Sequence, residues 1–207
     1  MGSPIGAYVP RFAAIRDEAP PRTGGVPESG ALSDAQLLAL ARESHERAFD
    51  LLYRQHRARV YTFLLRMVAD VDLADDLAQD VFTKTFHALP TFGADHRILS
   101  WLYRVAHNAA IDAMRRRKRL SWLRLGKVAG TREEPIATDE HGRVPEREQL
   151  TAVLRTLPPE NASALLLHAL EGYSYKEIAE IQGCTMTAVR SRIARARAAF
   201  RGTYPTT

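Results

Sequence analysis

Twenty residues near the C-terminal end, Tyr175 to Ala194, carry a spacing that leaves the backbone few choices. Ala179 is followed by Gly183 four positions on and by Val189 six beyond that, a pattern that fits two helices packed across a tight turn. A small side chain at Ala179 lets the second helix approach closely, Gly183 supplies the positive φ of a tight turn, and Val189 anchors the next helix on a small core. With about 100° between successive helical residues, Val189, Ile193, Ala196 and Phe200 share one side of the last helix and are expected to face inward. The opposite side carries Thr187, Ser191, Ala194 and Ala198, flanked by Arg190 and Arg197 on one edge and by Arg192 and Arg195 on the other. Small side chains let a helix sit deep in a DNA major groove, and flanking guanidiniums reach phosphates or guanine edges. A merely solvated amphipathic helix does not account for this combination. Cys184 follows the glycine where a small apolar residue fits, so it reads as a buried structural thiol rather than a metal or redox group.

Upstream, the period is helical throughout. Residues 1–30 are rich in Pro and Gly and are expected to form a disordered tail. Ser33 or Asp34 is a plausible N-cap, and Leu37, Leu40, Phe49, Leu52, Val60, Phe63, Leu64 and Met67 are spaced for two consecutive helices. A third helix is expected from about Asp72 to Pro90, then a loop over 90–96. A fourth carries an apolar stripe of Leu99, Leu102, Val105, Ala106, Ala109 and Ala113. Periodicity fades over 120–145, which reads as a flexible linker. Glu146 to Leu157 forms the next helix, Pro158 and Pro159 break it, another ends near Gly172, and two short helices close the chain. The expected fold is therefore all-α, with two small helical domains over 31–119 and 146–207 joined by the linker, the second holding the helix-turn-helix.

Charge is segregated along this plan. The formal net charge is +5, yet Arg115 to Lys127 holds seven bases and no acid, Arg190 to Arg201 five bases and no acid, and Asp70 to Asp80 five acids and no base. Different partners for different segments would produce such a division. One cysteine among 207 residues excludes an internal disulfide and suits a reducing cytoplasm. No apolar run approaches the roughly 20 residues of a membrane span, and neither a secretory nor a myristoylation pattern opens the chain. A cytoplasmic protein without membrane insertion is expected.

Two further faces carry chemistry. Away from the apolar stripe of the fourth helix lie Arg104, His107, Asn108, Ile111 and Arg115, with Trp101 and Asp112 at the margin. Cation, amide and indole together suit single-stranded nucleic acid, although Trp101 and Ile111 would also serve as core. Arg115, Arg116, Arg117, Lys118 and Arg119 extend this as a backbone-contacting end. On the third helix, Asp72, Asp75 and Asp76 complement the helix dipole, while Asp75, Gln79, Phe82 and Phe86 form an acid-to-aromatic stripe suited to a basic protein surface. The acids match no metal loop, phosphate cradle or nucleophile motif, so no metal, cofactor or catalytic role is expected.

Taken together, these segments resemble the extracytoplasmic-function (ECF) group of sigma factors, over about Ala48 to Arg119 and Pro145 to Arg201. Residues 74–82, Ala-Asp-Asp-Leu-Ala-Gln-Asp-Val-Phe, look like the region 2 segment that docks on the polymerase clamp, which implies Asp75, Asp76, Gln79, Asp80 and Phe82 as core polymerase contacts. Residues 101–112 are similar to the segment that reads and melts the −10 element, implying roles there for Trp101, Arg104, His107, Asn108, Asp112, Arg115 and Arg116. Pro90 to Arg97 then matches the loop that captures a flipped base, with Phe92, Gly93, Asp95, His96 and Arg97 as candidates. Residues 157–160, 165–168, 171–179 and 189–192 look like region 4, implying Thr187, Arg190, Ser191, Arg192 and Arg195 at the −35 element. The family commonly has Pro at the position of Thr185, Gly at Thr187, Thr at Ala188 and a larger side chain at Ala194, so no promoter sequence carries over. The resemblance implies core RNA polymerase and promoter DNA as partners, and an anti-sigma factor is a common partner in that family. The alternatives are a helix-turn-helix operator-binding regulator acting without polymerase, a catalytic nucleic-acid enzyme and a basic protein-binding scaffold. The acidic segment and the basic fourth helix together argue against the first.

Overall fold

The computed structural model describes residues 31–125 and 145–203. These form α1 (Asp34–Glu43), α2 (His45–Val68), α3 (Val71–Ala88), a 3-10 turn (Leu89–Thr91), α4 (Ile98–Leu125), α5 (Pro145–Thr156), α6 (Pro159–Ala169), α7 (Tyr175–Gln182) and α8 (Met186–Thr203). No strand occurs among the described residues. The expected tail over 1–30 and most of the expected linker lie outside them.

Helix boundaries follow from local chemistry. Ser33 caps α1 through a reciprocal bond pair with Gln36, and Ser174 caps α7 the same way with Glu177. Asp70 accepts the Leu73 N–H at 3.1 Å to open α3. Pro159 occupies the first turn of α6, where its missing N–H has no helical acceptor to lose. The Asp34 carboxylate accepts the Ile98 N–H at 3.3 Å and so ties the start of α4 to α1. Burial raises the pKa of that carboxyl.

Gly183 ends α7 at φ +61, and the Gly183 and Cys184 N–H groups converge on the Ala179 carbonyl. A Cβ built there would meet nothing within 4 Å. Gly183→Ala is therefore expected to cost only the left-handed backbone term, about 1 kcal/mol, read as a small drop in the urea midpoint. A loss of several kcal/mol would contradict this account of the turn.

Leu37, Leu52, Leu64, Val81 and Leu102 pack at the centre of α1–α4, and Leu165, Leu167, Ile178, Val189 and Ile193 at the centre of α5–α8. Each such side chain contributes roughly 1.5–3 kcal/mol on burial. The two halves also touch: α4 packs on α6 and α7, and α2 on α5 and α6.

Two expectations change. First, α4 continues to Leu125, into the stretch assigned to the linker, because no breaker occurs before Gly126 and an Arg-rich run favours helix. Second, the closing helix α8 is 18 residues long, not short.

Candidate nucleic-acid interface

On α8 the inward and outward faces separate as the spacing requires. Val189, Ile193, Ala196 and Phe200 are buried, whereas Thr187, Arg190, Ala194, Arg195 and Ala198 are exposed and Ser191 is half-buried. Arg192 departs from the expected arrangement. It is half-buried and turns back on the helix-turn-helix, donating from Nη1 to Gln182 Oε1 at 2.7 Å and approaching Cys184 Sγ at 3.2 Å. This side chain braces the turn instead of standing free beside Arg195. Cys184 is half-buried, not fully buried as the sequence suggests, because the turn leaves one side of it open beside Arg192.

On α4 the exposed line is Arg104, Asn108, Asp112, Arg115 and Arg116. The predicted apolar stripe is only part of what α4 buries. Tyr103, His107, Ala110 and Ile111 are buried as well, because α6 and α7 cover a second side of the helix. His107 and Ile111 therefore leave the expected nucleic-acid face. His107 Nδ1 lies 2.8 Å from Ser163 Oγ. Burial, and after it the Arg192 guanidinium, lower its pKa to about 4. Trp101 is half-buried against Phe92, with ring centroids 5.1 Å apart.

The loop before α4 is organised by aromatic contacts. Phe92 is only 9% exposed and stacks on His96 at 4.0 Å, so it forms the floor of the loop and not a free contact as predicted. Gly93, Asp95 and Arg97 are exposed and His96 is half-buried. The His96 N–H closes the loop on the Gly93 carbonyl at 3.0 Å.

The acidic stripe of α3 borders a groove of about 500 Å³ shared with α2. Asp75, Asp76, Gln79, Phe82 and Phe86 line it from α3. Phe82 is buried and forms part of the wall, set edge-on to Tyr53 at 4.8 Å. Asp80 is exposed but lies outside the groove lining. Phe49, Tyr53 and Arg57 complete the groove from α2, and sequence reasoning missed all three. Their i, i+4, i+8 spacing was the available signal. The Arg57 guanidinium lies 6.0 Å from the Tyr53 ring and 4.0 Å from the Asp75 carboxylate.

The model of Sigma-70 region 2 matches residues 52–120, and that of Sigma-70 region 4 matches residues 147–200. The ECF RNA polymerase sigma-E factor of Escherichia coli is 32% identical over 178 residues, covering 82% of this chain and 93% of that protein. The chain belongs to the ECF sigma factors. The RNA polymerase sigma-H factor of Pseudomonas aeruginosa is also 32% identical to this sigma factor, over 81% of its chain and 91% of the relative. Among solved structures, CnrH in complex with the cytosolic domain of CnrY has a TM-score of 0.61 at 27% identity, covering 82% and 96% of the two chains. The sigma factor RpoE of Bartonella quintana, solved with the anti-sigma factor NepR, shares the fold at a TM-score of 0.62 and 23% identity, over 76% and 98%. An ECF sigma factor binds core RNA polymerase and directs promoter-specific initiation, a role in a non-enzymatic family. The presence of region 2 disfavours an operator-binding regulator that acts without polymerase.

Proposed function

We propose that this sigma factor divides promoter recognition between its halves, with α8 reading the −35 element as duplex and α4 with its preceding loop holding the melted −10 strand. The observation that carries this reading is the exposed row Thr187, Arg190 and Arg195 on α8, backed by a fully apolar inner face. Ser191 sits at the edge of that row, and Arg192 acts by bracing it. On the −10 side, Arg104, Asn108, Asp112, Arg115 and Arg116 offer cations and an amide, with Trp101 at their edge and Gly93, Asp95, His96 and Arg97 around the base-capturing loop. The α2–α3 groove, rimmed by Asp75 and Asp76, takes the polymerase, with Asp80 on the outer side of the same helix. No catalytic residue, metal or cofactor enters this reading.

The factor acts in the cytoplasm, where the polymerase is; among the described residues no helix is long and apolar enough to cross a membrane. An anti-sigma factor is the further partner expected from the family, and the likeness to CnrH, solved in complex with the cytosolic domain of CnrY, supports a protein partner of this kind.

Arg195→Ala tests the α8 assignment. A guanidinium on a guanine edge discriminates by about 1–3 kcal/mol, so −35 affinity is expected to fall about tenfold while core polymerase pull-down is unchanged. Equal loss of both would overturn the assignment.

A further inference from the structure

The groove between α2 and α3 is walled by aromatic rings and rimmed by acid. Phe49, Tyr53 and Phe86 are half-buried, so part of each ring faces solvent, and Asp75 and Asp76 are exposed at the edge. Phe49 and Phe86 meet edge to face at 5.1 Å, which sets one wall against the other. The Arg57 guanidinium leans on Tyr53 and Asp75, which leaves Asp76 as the rim carboxylate open to an incoming cation. An occupant that fits brings apolar side chains to the rings and a positive charge to the rim.

The first 30 residues of the chain carry such a segment at one place. Residues 5–16, Ile-Gly-Ala-Tyr-Val-Pro-Arg-Phe-Ala-Ala-Ile-Arg, hold Ile5, Tyr8, Val9, Phe12 and Ile15, together with Arg11 and Arg16 and no acid. Over residues 17–30 the only large apolar side chain is Val26, among Asp17, Glu18, Glu28 and the prolines at 20, 21 and 27. A stretch suited only to solvent has few aromatic and β-branched residues. Residues 5–16 have instead the composition of a segment that orders on a partner.

The segment is tethered within reach of the groove. Gln55 Nε2 donates to the Leu32 carbonyl at 3.1 Å, which pins the entry of the chain to α2. Gln55 stands two residues from Tyr53 and from Arg57, hence on the other side of α2, about one helix diameter of 10–12 Å from the groove. The connecting residues 17–31 span roughly 20 Å as a flexible chain. A tether of that length holds the segment at an effective concentration of millimolar order.

We propose that residues 5–16 dock in the α2–α3 groove of their own chain, with Phe12 and Ile15 against the aromatic walls and Arg11 or Arg16 at the Asp75–Asp76 rim. The free sigma factor then carries its own competitor for the surface that takes the polymerase, and the polymerase displaces it on binding. The docking stands on the groove and the segment alone, whereas the competition rests on the polymerase reading of the groove.

The test places a nitroxide at Ser3→Cys in the full chain with Cys184→Ser and reads the broadening of amide signals by NMR. Broadening is expected to be strongest at Tyr53, Asp76, Gln79 and Thr83. Phe12→Ala with Ile15→Ala, and separately Arg11→Glu with Arg16→Glu, should remove it. Broadening spread evenly over the surface, or strongest away from the groove, overturns the proposal. So does broadening that appears when nitroxide-bearing chain is mixed with isotope-enriched chain lacking the nitroxide, because the tail then sits in a second copy. Since apparent affinity scales with the fraction of competent molecules, Phe12→Ala with Ile15→Ala is also expected to bind core polymerase about threefold tighter or more. If the groove is not broadened while Asp76→Arg still weakens polymerase binding, the docking alone fails. If the groove is broadened but neither the tail pair nor Asp76→Arg alters polymerase affinity, the polymerase reading of the groove fails, and the competition with it.

Discussion

Asp76→Arg is expected to lower the affinity for core RNA polymerase at least about tenfold, since like charges brought together at an interface cost several kcal/mol. Asp76 stands exposed at the rim of the α2–α3 groove, beside Asp75, whose carboxylate is already shared with Arg57 at 4.0 Å. Reversal at Asp76 therefore turns the rim from acidic to basic without disturbing the aromatic wall of Phe49, Tyr53, Phe82 and Phe86. Affinity for −35 duplex DNA should stay the same, because α8 lies in the other half of the chain. An unchanged polymerase dissociation constant would remove the groove from the account.

Acid is expected to destabilise the fold steeply between pH 7 and pH 5. His56 and His107 are buried, and desolvation, reinforced by Arg59 for the first and Arg192 for the second, lowers each pKa to about 4. Both rings are therefore neutral in the folded chain, while in the unfolded chain they take up protons near pH 6.5. Stability from this source is complete above about pH 6.5 and is lost as pH falls toward 4. At pH 5 the loss is about 2 kcal/mol for each ring, from roughly 1.4 kcal/mol per pH unit. Asp34 opposes this weakly, since its raised pKa favours the fold on protonation. Urea midpoints at pH 7.5 and pH 5 measure the sum, and equal midpoints would contradict the buried placement of the two rings.

The sequence and the structure agree where the determinants are local. Ser33, Pro159 and Gly183 act within a few residues of themselves, so the helix boundaries they set were legible. The inner face of α8 was legible for the same reason: a single side of one helix packs on one core. On α4 the projection found the apolar side that meets α2 and α3 but could not show that α6 and α7 cover a second side, which removes His107 and Ile111 from the surface. The pairing of Arg59 with Glu171 crosses 112 residues of sequence and leaves no periodic trace. Phe92 and Arg192 misled for a related reason. An aromatic in a loop and an arginine on a helix edge both look available until the neighbours that occupy them are in place. Phe49, Tyr53 and Arg57 were readable as a stripe, yet only their position opposite Asp75 and Phe86 makes them one wall of a groove.

The central claim is promoter-directed initiation with core RNA polymerase. Purified sigma factor is added to bacterial core polymerase and a promoter library, and the transcripts are sequenced. Transcripts that start at a defined subset of promoters, depend on the added protein, and are lost with Asp76→Arg are the expected result. Transcripts that are the same with and without the protein would contradict it.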